Sequence, residues 1–561
     1  MELLSPAGGF DSLKAAVENG ADAVYIGAQK FSARGLSQNF DDLAAAANYA
    51  HDGGAKLYLA MNTLIRDREI ASWLQTAQEA VHAGVDAFII QDLGCAMLLK
   101  ELCPSAVLHA STQMTAYSLS GVSILEKLGF SRVVLARELT FKQICDIRRQ
   151  SSIPLEVFVH GALCESYSGQ CLMSSIFGGR SANRGLCAQP CRLDYSADGV
   201  GHGRLLSPRD LCLIDYIDQL RQAGVASIKI EGRMKPAAYV GTVTRIYRKA
   251  LDGAKITVQD KEDLLRAFSR RGFTDRPFSQ DIPVLVPGGS IASEPSAPPK
   301  STLFKEYVPL KKGKRKKPRK LAAQVNTEAQ AVSVLPFVDI LYVPYEAAWV
   351  SNLPETDAKI IGTHPLIIEE NHNCAGCHNF EGELFATLLD ADVPHKISDA
   401  SIHVTNGQTL KALKALGYER ATISVELNSA QIVDLPDLMP TEVIAYGRLT
   451  LMTTIRCPLR CDKKQCKVKS GGAVLTDRMN KNFPLVSSGN GCMVSILNSA
   501  PVYMADKLSQ ISANVIRLVF TTETPAESKK IATIYRDALR GIAVPPPTGE
   551  FTRGHFTRGM L

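Results

Sequence analysis

Four cysteines stand close together in one polar stretch of the sequence. Cys164, Cys171, Cys187 and Cys191 follow the spacing C-x6-C-x15-C-x3-C within 28 residues, and the stretch between them is rich in Gly, Ser and Arg. Thiolates arranged in this way can bind one metal centre, and ligation by thiolates alone suits an iron–sulfur cluster or a structural zinc ion. Zinc sites usually have short gaps between paired cysteines, so the gap of six residues favours a cluster. A zinc ion and unrelated thiols are the alternatives.

A second group of cysteines lies nearer the carboxyl terminus. Its spacing is C-x3-C-x4-C-x25-C, and its members are Cys457, Cys461, Cys466 and Cys492. The compact CPLRCDKKQC is typical of a zinc knuckle, so zinc is the first expectation and a second cluster the alternative. A third candidate is Cys374 with Cys377, flanked by His372 and His378, where a surface loop with chance cysteines is an equal alternative. The cysteines in half-apolar helical patterns are expected in the core: Cys95, Cys103, Cys145 and Cys212.

Charged and polar side chains also stand at the ends of apolar, strand-like runs. The candidate catalytic residues are Lys229, Glu231, Arg233, His109, Glu156 and His160. Similar positions are held by Asn62, Ser111, Gln113, Arg137, Glu138 and Lys235. Because side chains alternate along a strand, some of these are expected to point into the mouth of a barrel, where Lys and Arg bind carboxylates. For each residue, an internal ion pair or a surface position is the alternative.

Eight apolar, β-branched runs alternate with amphipathic helical patterns over the first 255 residues. The predicted strands span residues 2–5, 23–26, 56–61, 87–91, 107–110, 132–136, 155–159 and 227–230. Several helical patterns end at a glycine, which is typical of a helix carboxyl terminus: Gly20, Gly84, Gly129 and Gly224. Eight strand–helix units in this length predict an α/β fold with an N-terminal (β/α)8 TIM-like barrel. The cysteine-rich insertion, residues 161–207, follows the seventh strand at the end where such barrels have their active sites.

The second half of the chain contains a weak repeat of the first. LEKLGFSRVVLARELTFKQI (125–144) matches LKALGYERATISVELNSAQI (413–432), and EVFVHGALCESYSGQC (156–171) matches EVIAYGRLTLMTTIRC (442–457) without a gap. IYRKAL (246–251) recurs as IYRDAL (534–539). Order and spacing that persist over this distance predict a second, degenerate α/β barrel over residues 321–545. In this alignment Cys457 matches Cys171, whereas Thr450 stands in place of Cys164.

Basic residues concentrate between the two halves. Residues 311–320, KKGKRKKPRK, hold eight Lys or Arg, against a net charge of +7 for the whole chain. A solvated linker and an anchor for nucleic-acid phosphates are both consistent with such a run. The Pro/Gly/Ser-rich VPGGSIASEPSAPPK precedes it, so residues 256–320 are predicted to be a linker and residues 546–561 a tail.

The composition disfavours several classes of protein. Hydrophobic residues make up 45% and charged residues 21%, which is ordinary for a chain with packed cores. No stretch of eighteen or more apolar residues is present, so no membrane partner is expected. The opening MELLSPAG lacks the basic and apolar regions of a signal peptide, which predicts a cytoplasmic protein. Gly-x-Ser-x-Gly, His-Glu-x-x-His and paired-Asp signatures are missing, which disfavours hydrolysis.

The motif EVFVHGALCESYSGQCLMSS, with ELLSPAG, GADAVYIG and SIKIEGRMK, resembles the peptidase U32 family over residues 1–255. The stretch GQCLMSSIFGGRSANRGLCAQPCR is most similar to the branch that hydroxylates a cytidine of 23S ribosomal RNA. Other branches make 5-hydroxyuridine in tRNA or hydroxylate intermediates of ubiquinone synthesis. The resemblance implies a [4Fe–4S] cluster at Cys164, Cys171, Cys187 and Cys191, with Cys191 the least clear match. It also implies a link to prephenate, for which we expect Lys229 and Arg233 to form the binding site.

These observations lead to two expectations of function. The first is an iron–sulfur-dependent, oxygen-independent hydroxylase of a pyrimidine in RNA, foremost a cytidine of 23S rRNA with tRNA as the other candidate. Such an enzyme would take in a base splayed out of the RNA, because C5 of a pyrimidine is poorly accessible within a paired helix. The second is a collagenase-like peptidase, from which the family takes its name, or a scaffold that the cluster only stabilises. No nucleophile or metal–histidine motif in the sequence supports peptidase activity.

Overall fold

A computed structural model describes residues 1–35, 39–280, 290–367, 380–389, 391, 393, 395–459, 466–488 and 492–559. The chain divides into two compact units. The first comprises Met1–Cys171, Ala182–Cys191 and Leu206–Val308. The second comprises Leu172–Ser181, Arg192–Leu205 and Pro309–Leu561. The cysteine-rich insertion is therefore divided, with its four cysteines in segments of the first unit.

Strands and helices alternate through residues 1–280. The strands are β1 (Glu2–Pro6), β2 (Ala23–Gly27), β3 (Lys56–Met61), β4 (Ala87–Ile90), β5 (Leu108–Ala110), β6 (Arg132–Val134), β7 (Leu155–Gly161), β8 (Tyr195–Ala197), β9 (Gly201–Gly203), β10 (Asp210–Cys212), β11 (Ser227–Ile230) and β12 (Phe273–Thr274). The helices are α1 (Phe10–Glu18), α2 (Leu43–Asp52), α3 (Ile70–Ala83), α4 (Leu93–Leu102), α5 (Leu119–Lys127), α6 (Phe141–Gln150), α7 (Met173–Gly178), α8 (Ile217–Gln222), α9 (Ala237–Leu251) and α10 (Val258–Ala267).

Eight strands of the first unit form a closed parallel barrel. Strands β1 to β7 pair in chain order, and β11 closes the barrel by pairing with both β7 and β1. The predicted (β/α)8 fold is confirmed, and the ends of each predicted strand lie within two residues of the observed ones. The strands are almost entirely buried, because helices cover the outside of the barrel and side chains fill its interior. Helix α3 ends at Gly84, whose φ of 92° lies in the left-handed region that glycine favours.

The residues that follow the barrel pack against it. Helix α10 lies within the stretch predicted to be a linker, and residues 290–308 also belong to the first unit. The Ala292 amide donates to the Ser152 carbonyl, and the Lys305 amide donates to the Leu102 carbonyl. Glu294 Oε1 accepts a hydrogen bond of 2.5 Å from Arg132 Nε. These contacts hold the Pro/Gly/Ser-rich segment to the barrel, so within the described chain it does not run as a free spacer.

The second unit contains the remaining elements. Its strands are β13 (Lys320–Gln324), β14 (Ile340–Pro344), β15 (Lys359–Thr363), β16 (Glu383–Phe385), β17 (Lys396–Ser398), β18 (Tyr418–Thr422), β19 (Thr441–Gly447), β20 (Thr450–Thr454), β21 (Val474–Asp477), β22 (Asn482–Ser487), β23 (Val494–Leu497), β24 (Val502–Tyr503) and β25 (Val515–Val519). Its helices are α11 (Glu328–Val334), α12 (Gly407–Ala415), α13 (Ser429–Asp434) and α14 (Pro525–Leu539), together with α7.

A second closed parallel barrel confirms the repeat. Strands β13 to β19 pair in chain order, and β25 pairs with β19 and β13. Strands β7 and β19 begin 286 residues apart, and β11 and β25 begin 288 residues apart, as in the sequence alignment. Unlike the first barrel, this unit also contains an antiparallel sheet of order β20-β23-β22-β21-β8-β9, in which β8 and β9 come from the insertion.

The basic run and the terminal segment both contact the second unit. Lys312 lies 3.0 Å from Asp434, and Lys316 lies 2.7 Å from Asp437. The Tyr503 amide donates to the carbonyl of Thr552, so part of the segment predicted to be a tail extends the fold. Among the described residues, no helix has the length and apolar character needed to cross a membrane.

Candidate functional site

A polar cavity opens among the carboxyl ends of the first barrel's strands. Its volume is about 70 Å³, several times what one water molecule occupies. This is the end of a (β/α)8 barrel where active sites lie. The cavity is lined by Tyr25, Ala33, Arg34, Ala60, Asn62, Ile89, Ser111, Thr112, Gln113, Val134, Arg137, Phe158, Lys229, Glu231 and Arg233.

Positive charge dominates the cavity. Its charged lining residues are four cations and one acid: Arg34, Arg137, Lys229, Arg233 and Glu231. Arg34 Nη2 lies 3.1 Å from Glu231 Oε1, so these two charges are paired. By contrast, the Arg137 side chain lies 3.5 Å from the Ser168 hydroxyl, and Arg233 donates to the Ser32 hydroxyl. The hydrogen-bond partners of these two guanidinium groups are therefore neutral hydroxyls, and the Glu231 carboxylate acts on both groups only through its charge. This arrangement favours an anionic ligand.

Burial shapes the protonation of these groups. It lowers the pKa of Arg233 to about 10 and also lowers the pKa of Lys229, against the opposing effect of Glu156. For Glu231, burial raises the pKa, but Arg34, Arg137 and the other nearby charges outweigh it and leave the pKa below its usual value. At neutral pH Glu231 is therefore a carboxylate, and the cavity keeps an excess of cations.

Glu156 lies beneath the cavity in a buried ion-pair cluster. Its Oε1 accepts a 2.8 Å hydrogen bond from Lys229 Nζ, and its Oε2 accepts one of 3.0 Å from Arg132 Nη1. Arg132 also donates to Glu2 and Glu294. Of the predicted catalytic residues, Glu156 therefore fixes the position of Lys229 and does not itself line the cavity.

The two candidate histidines also lie outside the cavity lining. The His109 ring packs edge-on against Tyr58, with 4.9 Å between ring centroids, and burial lowers its pKa. Burial lowers the pKa of His160 to about 3, and its Nδ1 lies 3.3 Å from the Tyr247 hydroxyl on α9. The β7–β11 register shifts after the Phe158–Lys229 pair, so that His160 pairs with Ile230. This irregularity turns His160 toward the helices, whereas Phe158 lines the cavity.

The cysteine-bearing loop is fastened to the barrel mouth by close backbone contacts. Gly169 has a φ of 83°, and a Cβ on it would lie 2.2 Å from the carbonyl oxygen of Gln113. Gly185 approaches Ser32 equally closely, with 2.3 Å to its carbonyl oxygen. The Thr115 hydroxyl donates to the Ser168 carbonyl over 2.8 Å. Glycine is thus needed at the two places where the cysteine-bearing loop contacts the loops that follow β2 and β5.

The loop brings two of the predicted cluster ligands to the cavity. Cys164 and Cys187 interact electrostatically with each other, and they interact respectively with Arg137 and Arg34 of the cavity wall. All four loop cysteines are part-exposed and free of disulfides, a donor set that fits a thiolate-bound metal centre. Within the described ranges, no three or more metal-binding side chains converge. A site that includes Cys171 and Cys191 stays a prediction.

Arg34, Tyr25 and Gly27 are residues of the site that the sequence did not single out. The Tyr25 ring faces Lys229, whose Nζ lies 4.4 Å from its centroid. A Cβ on Gly27 would lie 2.5 Å from Arg233 Nη1, so this glycine makes room for the guanidinium. Tyr25 and Gly27 lie at the carboxyl end of the second predicted strand and Arg34 in the loop that follows it, which was an available signal.

The second cysteine group is only partly described. Cys457, Cys466 and Cys492 are part-exposed and free of disulfides in the second unit. Cys461 and the set Cys374, Cys377, His372 and His378 lie outside the described residues. A zinc ion or a second cluster at this group stays a prediction.

The fold and site define a (β/α)8-barrel protein with a cationic cavity beneath a cysteine-rich loop. Residues 8–281, which begin just after β1 and include the rest of the first barrel and this loop, match the model of peptidase family U32. The chain belongs to the peptidase U32 family.

Its relatives in this family have different names. The chain is 41% identical over 278 residues to the 23S rRNA 5-hydroxycytidine C2501 synthase of Escherichia coli (strain K12), covering 48% of this chain and 42% of that protein. It is 31% identical over 332 residues to the tRNA hydroxylation protein P of the same organism, covering 49% and 73%. It is 33% identical over 302 residues to a collagenase of Porphyromonas gingivalis, covering 49% and 72%. The match thus spans less than half the length of the first of these relatives.

Proposed function

We propose that this chain is an RNA-modifying enzyme that hydroxylates C5 of a pyrimidine without molecular oxygen, with a cytidine of 23S rRNA as its first candidate substrate. The observation on which the proposal rests is the cationic cavity beside Cys164 and Cys187. Relatives named for rRNA and tRNA hydroxylation, at 41% and 31% identity, support RNA as the substrate class.

Cys164, Cys171, Cys187 and Cys191 would hold a [4Fe–4S] cluster at the mouth of the cavity. Such a cluster would supply redox or Lewis-acid chemistry next to a bound base. Burial raises the pKa of the Cys164 thiol, and the positive charge of Arg137 opposes that effect, which helps the thiolate that a metal ligand requires.

The cavity cations would bind a small carboxylated co-substrate, for which prephenate is our candidate. In the described chain, the side chains of Arg233 and Arg137 have only serine hydroxyls as hydrogen-bond partners, so they can donate further hydrogen bonds to carboxylates. Glu156 holds the Lys229 ammonium in place, and the Arg34–Glu231 pair fixes the loop after β2 over the cavity. These residues bind and orient the co-substrate and exclude water from it.

The basic run would bind the RNA phosphates around the target base. Seven of its eight cations are exposed, and the eighth, Lys316, is partly buried beside Asp437. Attraction of such a run to phosphates is independent of sequence and weakens with salt. Selection of the target base is then left to the cavity and its loop.

A peptidase function is the second candidate, favoured by the collagenase relative and one contact. The Ser175 hydroxyl lies 2.8 Å from His555 Nε2, the spacing of a nucleophile and its base. Both side chains are buried, at 0% and 5% exposure, so a peptide bond cannot reach the hydroxyl. The contact is better explained as a hydrogen bond that joins α7 to the terminal segment.

Two measurements test the proposal. Protein purified without oxygen should contain about four irons per chain, the content of one [4Fe–4S] cluster, and Cys164→Ala should lose them. Cys145→Ala, at a buried cysteine in α6, is the matched control and should keep them. Mass spectrometry of rRNA and tRNA from cells without the gene should show the loss of a hydroxylated pyrimidine that wild-type Cys164 restores and Cys164→Ala does not. Zinc without iron, or unchanged RNA, contradicts the proposal.

A further inference from the structure

The second barrel contains a counterpart of the cavity's central cation, and the chain itself supplies a carboxylate to it. Lys229 pairs with Leu4 across the β1–β11 ladder, and Arg517 pairs with Ala322 across the matching β13–β25 ladder. Arg517 is fully buried, and its Nη2 lies 2.5 Å from Asp399 Oδ1. Arg517, the cation on the eighth strand of the second barrel, is thus bound to a carboxylate.

The ion pairs beneath these two cations are the same in both barrels. Glu156 bonds Lys229 and Arg132, at 2.8 and 3.0 Å. Its counterpart Glu442 forms ion pairs with Arg517 and Arg420, with N–O distances of 2.9 and 3.1 Å. A tyrosine on the second strand faces each cation, Tyr25 in the first barrel and Tyr342 in the second. Because these surroundings agree, the groups above the two cations can be compared directly.

Ser111 is the residue of the first barrel that corresponds to Asp399. The Ser111 amide donates to the carbonyl of Ile90 over 2.9 Å, and the Asp399 amide donates to the carbonyl of Phe385 over 2.8 Å. Each residue precedes one turn of 3-10 helix, Thr112–Met114 or Ala400–Ile402, that ends at a left-handed residue, with φ of 60° and 59°. Ser111 and Lys229 both line the cavity. In the first barrel, the corresponding position beside Ser111 and Lys229 therefore borders the cavity, and Ser111 supplies no carboxylate to it.

We propose that Ser111 determines access to the cavity: its small side chain leaves room on Lys229 for a carboxylate of a bound ligand, in the place that Asp399 fills on Arg517. Lys229 has the donors for it, because an ammonium group has three and its hydrogen bond to Glu156 uses one. By the same comparison, the second barrel is a copy in which Asp399 of the chain itself occupies the carboxylate position on Arg517.

The charges define the class of ligand. The cavity lining holds four cations and one carboxylate, Glu231, and Glu156 beneath the cavity is shared between Lys229 and Arg132. The lining therefore has an excess of positive charge that suits a dicarboxylate, with one carboxylate on Lys229 beside Ser111 and the other at Arg137 and Arg233. This inference rests on the proposed function in one respect, since it locates the co-substrate of that function.

The test measures prephenate binding by isothermal titration calorimetry, without RNA, on the complete chain. Ser111→Asp places a carboxylate on Lys229 and should weaken binding by about tenfold or more, because two carboxylates compete for one site. Ser111→Ala leaves the space open and should weaken binding far less. Ser105→Asp adds the same charge in the exposed turn that precedes the same strand and should bind as wild type does.

Equal affinity of Ser111→Asp and wild type, or equal losses in Ser111→Asp and Ser111→Ala, overturns the inference. So does a wild-type protein that binds no prephenate, whatever RNA mass spectrometry shows. Binding without any change in RNA would instead contradict the proposed function and leave the assignment of Ser111 standing.

A second variant tests the comparison if Ser111→Asp fails to fold. Asp399→Ala removes the internal carboxylate and leaves Arg517 beside an open space. Acetate should then raise the melting temperature of this variant by a few degrees more than chloride does at the same ionic strength, and it should not do so for wild type. An equal response to acetate and chloride overturns the inference.

Discussion

At the scale of single residues, Arg233 is expected to favour ligand binding while it lowers the stability of the ligand-free protein. It is 4% exposed, its described hydrogen bond goes to Ser32, and burial lowers its pKa to about 10. A buried cation without a carboxylate destabilises the folded state unless a ligand neutralises it. Because burial of Arg233 destabilises the ligand-free protein, its presence in the cavity indicates a role in ligand binding.

Arg233→Met should accordingly lose binding without losing stability. We expect prephenate affinity to fall by about tenfold or more, while the melting temperature of the ligand-free protein stays the same or rises. Calorimetric titration and thermal unfolding measure the two effects. Arg266→Met, at an exposed arginine of α10, is the control and should change neither. A large loss of stability in Arg233→Met would show that Arg233 is structural.

His160 should make the protein less stable in acid. Burial lowers its pKa to about 3, whereas an unfolded histidine has a pKa of about 6.5. Between these values the unfolded chain binds a proton that the folded chain does not, so the free energy of unfolding falls as pH decreases below about 6.5. The contribution of one histidine approaches about 1.4 kcal/mol per pH unit.

Urea denaturation between pH 7.5 and 5 measures this slope. His160→Gln should reduce it, whereas His82→Gln, at an exposed residue of α3, should leave it as in wild type. If His160→Gln keeps the full slope, other groups are responsible for the acid sensitivity.

At the scale of elements, the cysteine loop depends on glycines where it touches the barrel. Gly169→Ala places a methyl group 2.2 Å from the Gln113 carbonyl oxygen, and its φ of 83° is strained for alanine. The loop must therefore move, and we expect iron content after anaerobic purification to fall by more than half while the barrel still folds.

Gly54→Ala is the matched control for this prediction. Gly54 has a φ of 76° and nothing within 4 Å of the added methyl group, so the backbone strain of roughly 1–2 kcal/mol is the same and the loop is untouched. Iron content should stay at the wild-type level. Equal iron loss in both variants would show that strain alone, and not the position of the loop, reduces cluster binding.

At the scale of the whole molecule, the basic run should determine how RNA affinity depends on salt. Lys312 and Lys316 pair with Asp434 and Asp437, so a variant with Gln at Lys311, Lys314, Lys317 and Arg319 removes exposed charge and leaves these ion pairs in place. RNA affinity should fall, and the slope of log affinity against log salt should decrease by up to roughly 0.7 for each cation removed. Filter binding over a series of KCl concentrations measures this slope.

The control variant removes four exposed lysines elsewhere in the second unit: Lys411, Lys507, Lys529 and Lys530. Its salt slope should stay close to that of wild type. Equal slopes in the two variants would mean that RNA is attracted by net charge rather than by residues 311–320.

The sequence by itself determined the two barrels and the place of the cysteine loop. Strand positions can be predicted because buried parallel strands are short apolar runs, and because glycines such as Gly84 end the helices between them. The second barrel can be predicted because the offset of 286 to 288 residues keeps each strand in order. Both signals are patterns along the sequence, and they do not depend on which strands pair with each other.

Only the tertiary structure decided which side chains share the cavity. Closing the barrel brings Arg34 and Glu231 within 3.1 Å although they are 197 residues apart in the chain. Strict alternation along β7 would place His160 on the same face as Phe158, but the shifted register with β11 turns His160 toward α9. Glu156 was a candidate acid in the sequence, yet barrel closure pairs it with Lys229 and Arg132. Periodicity cannot distinguish these cases, because both faces of a barrel strand are buried and only pairing across the chain assigns each face its neighbours.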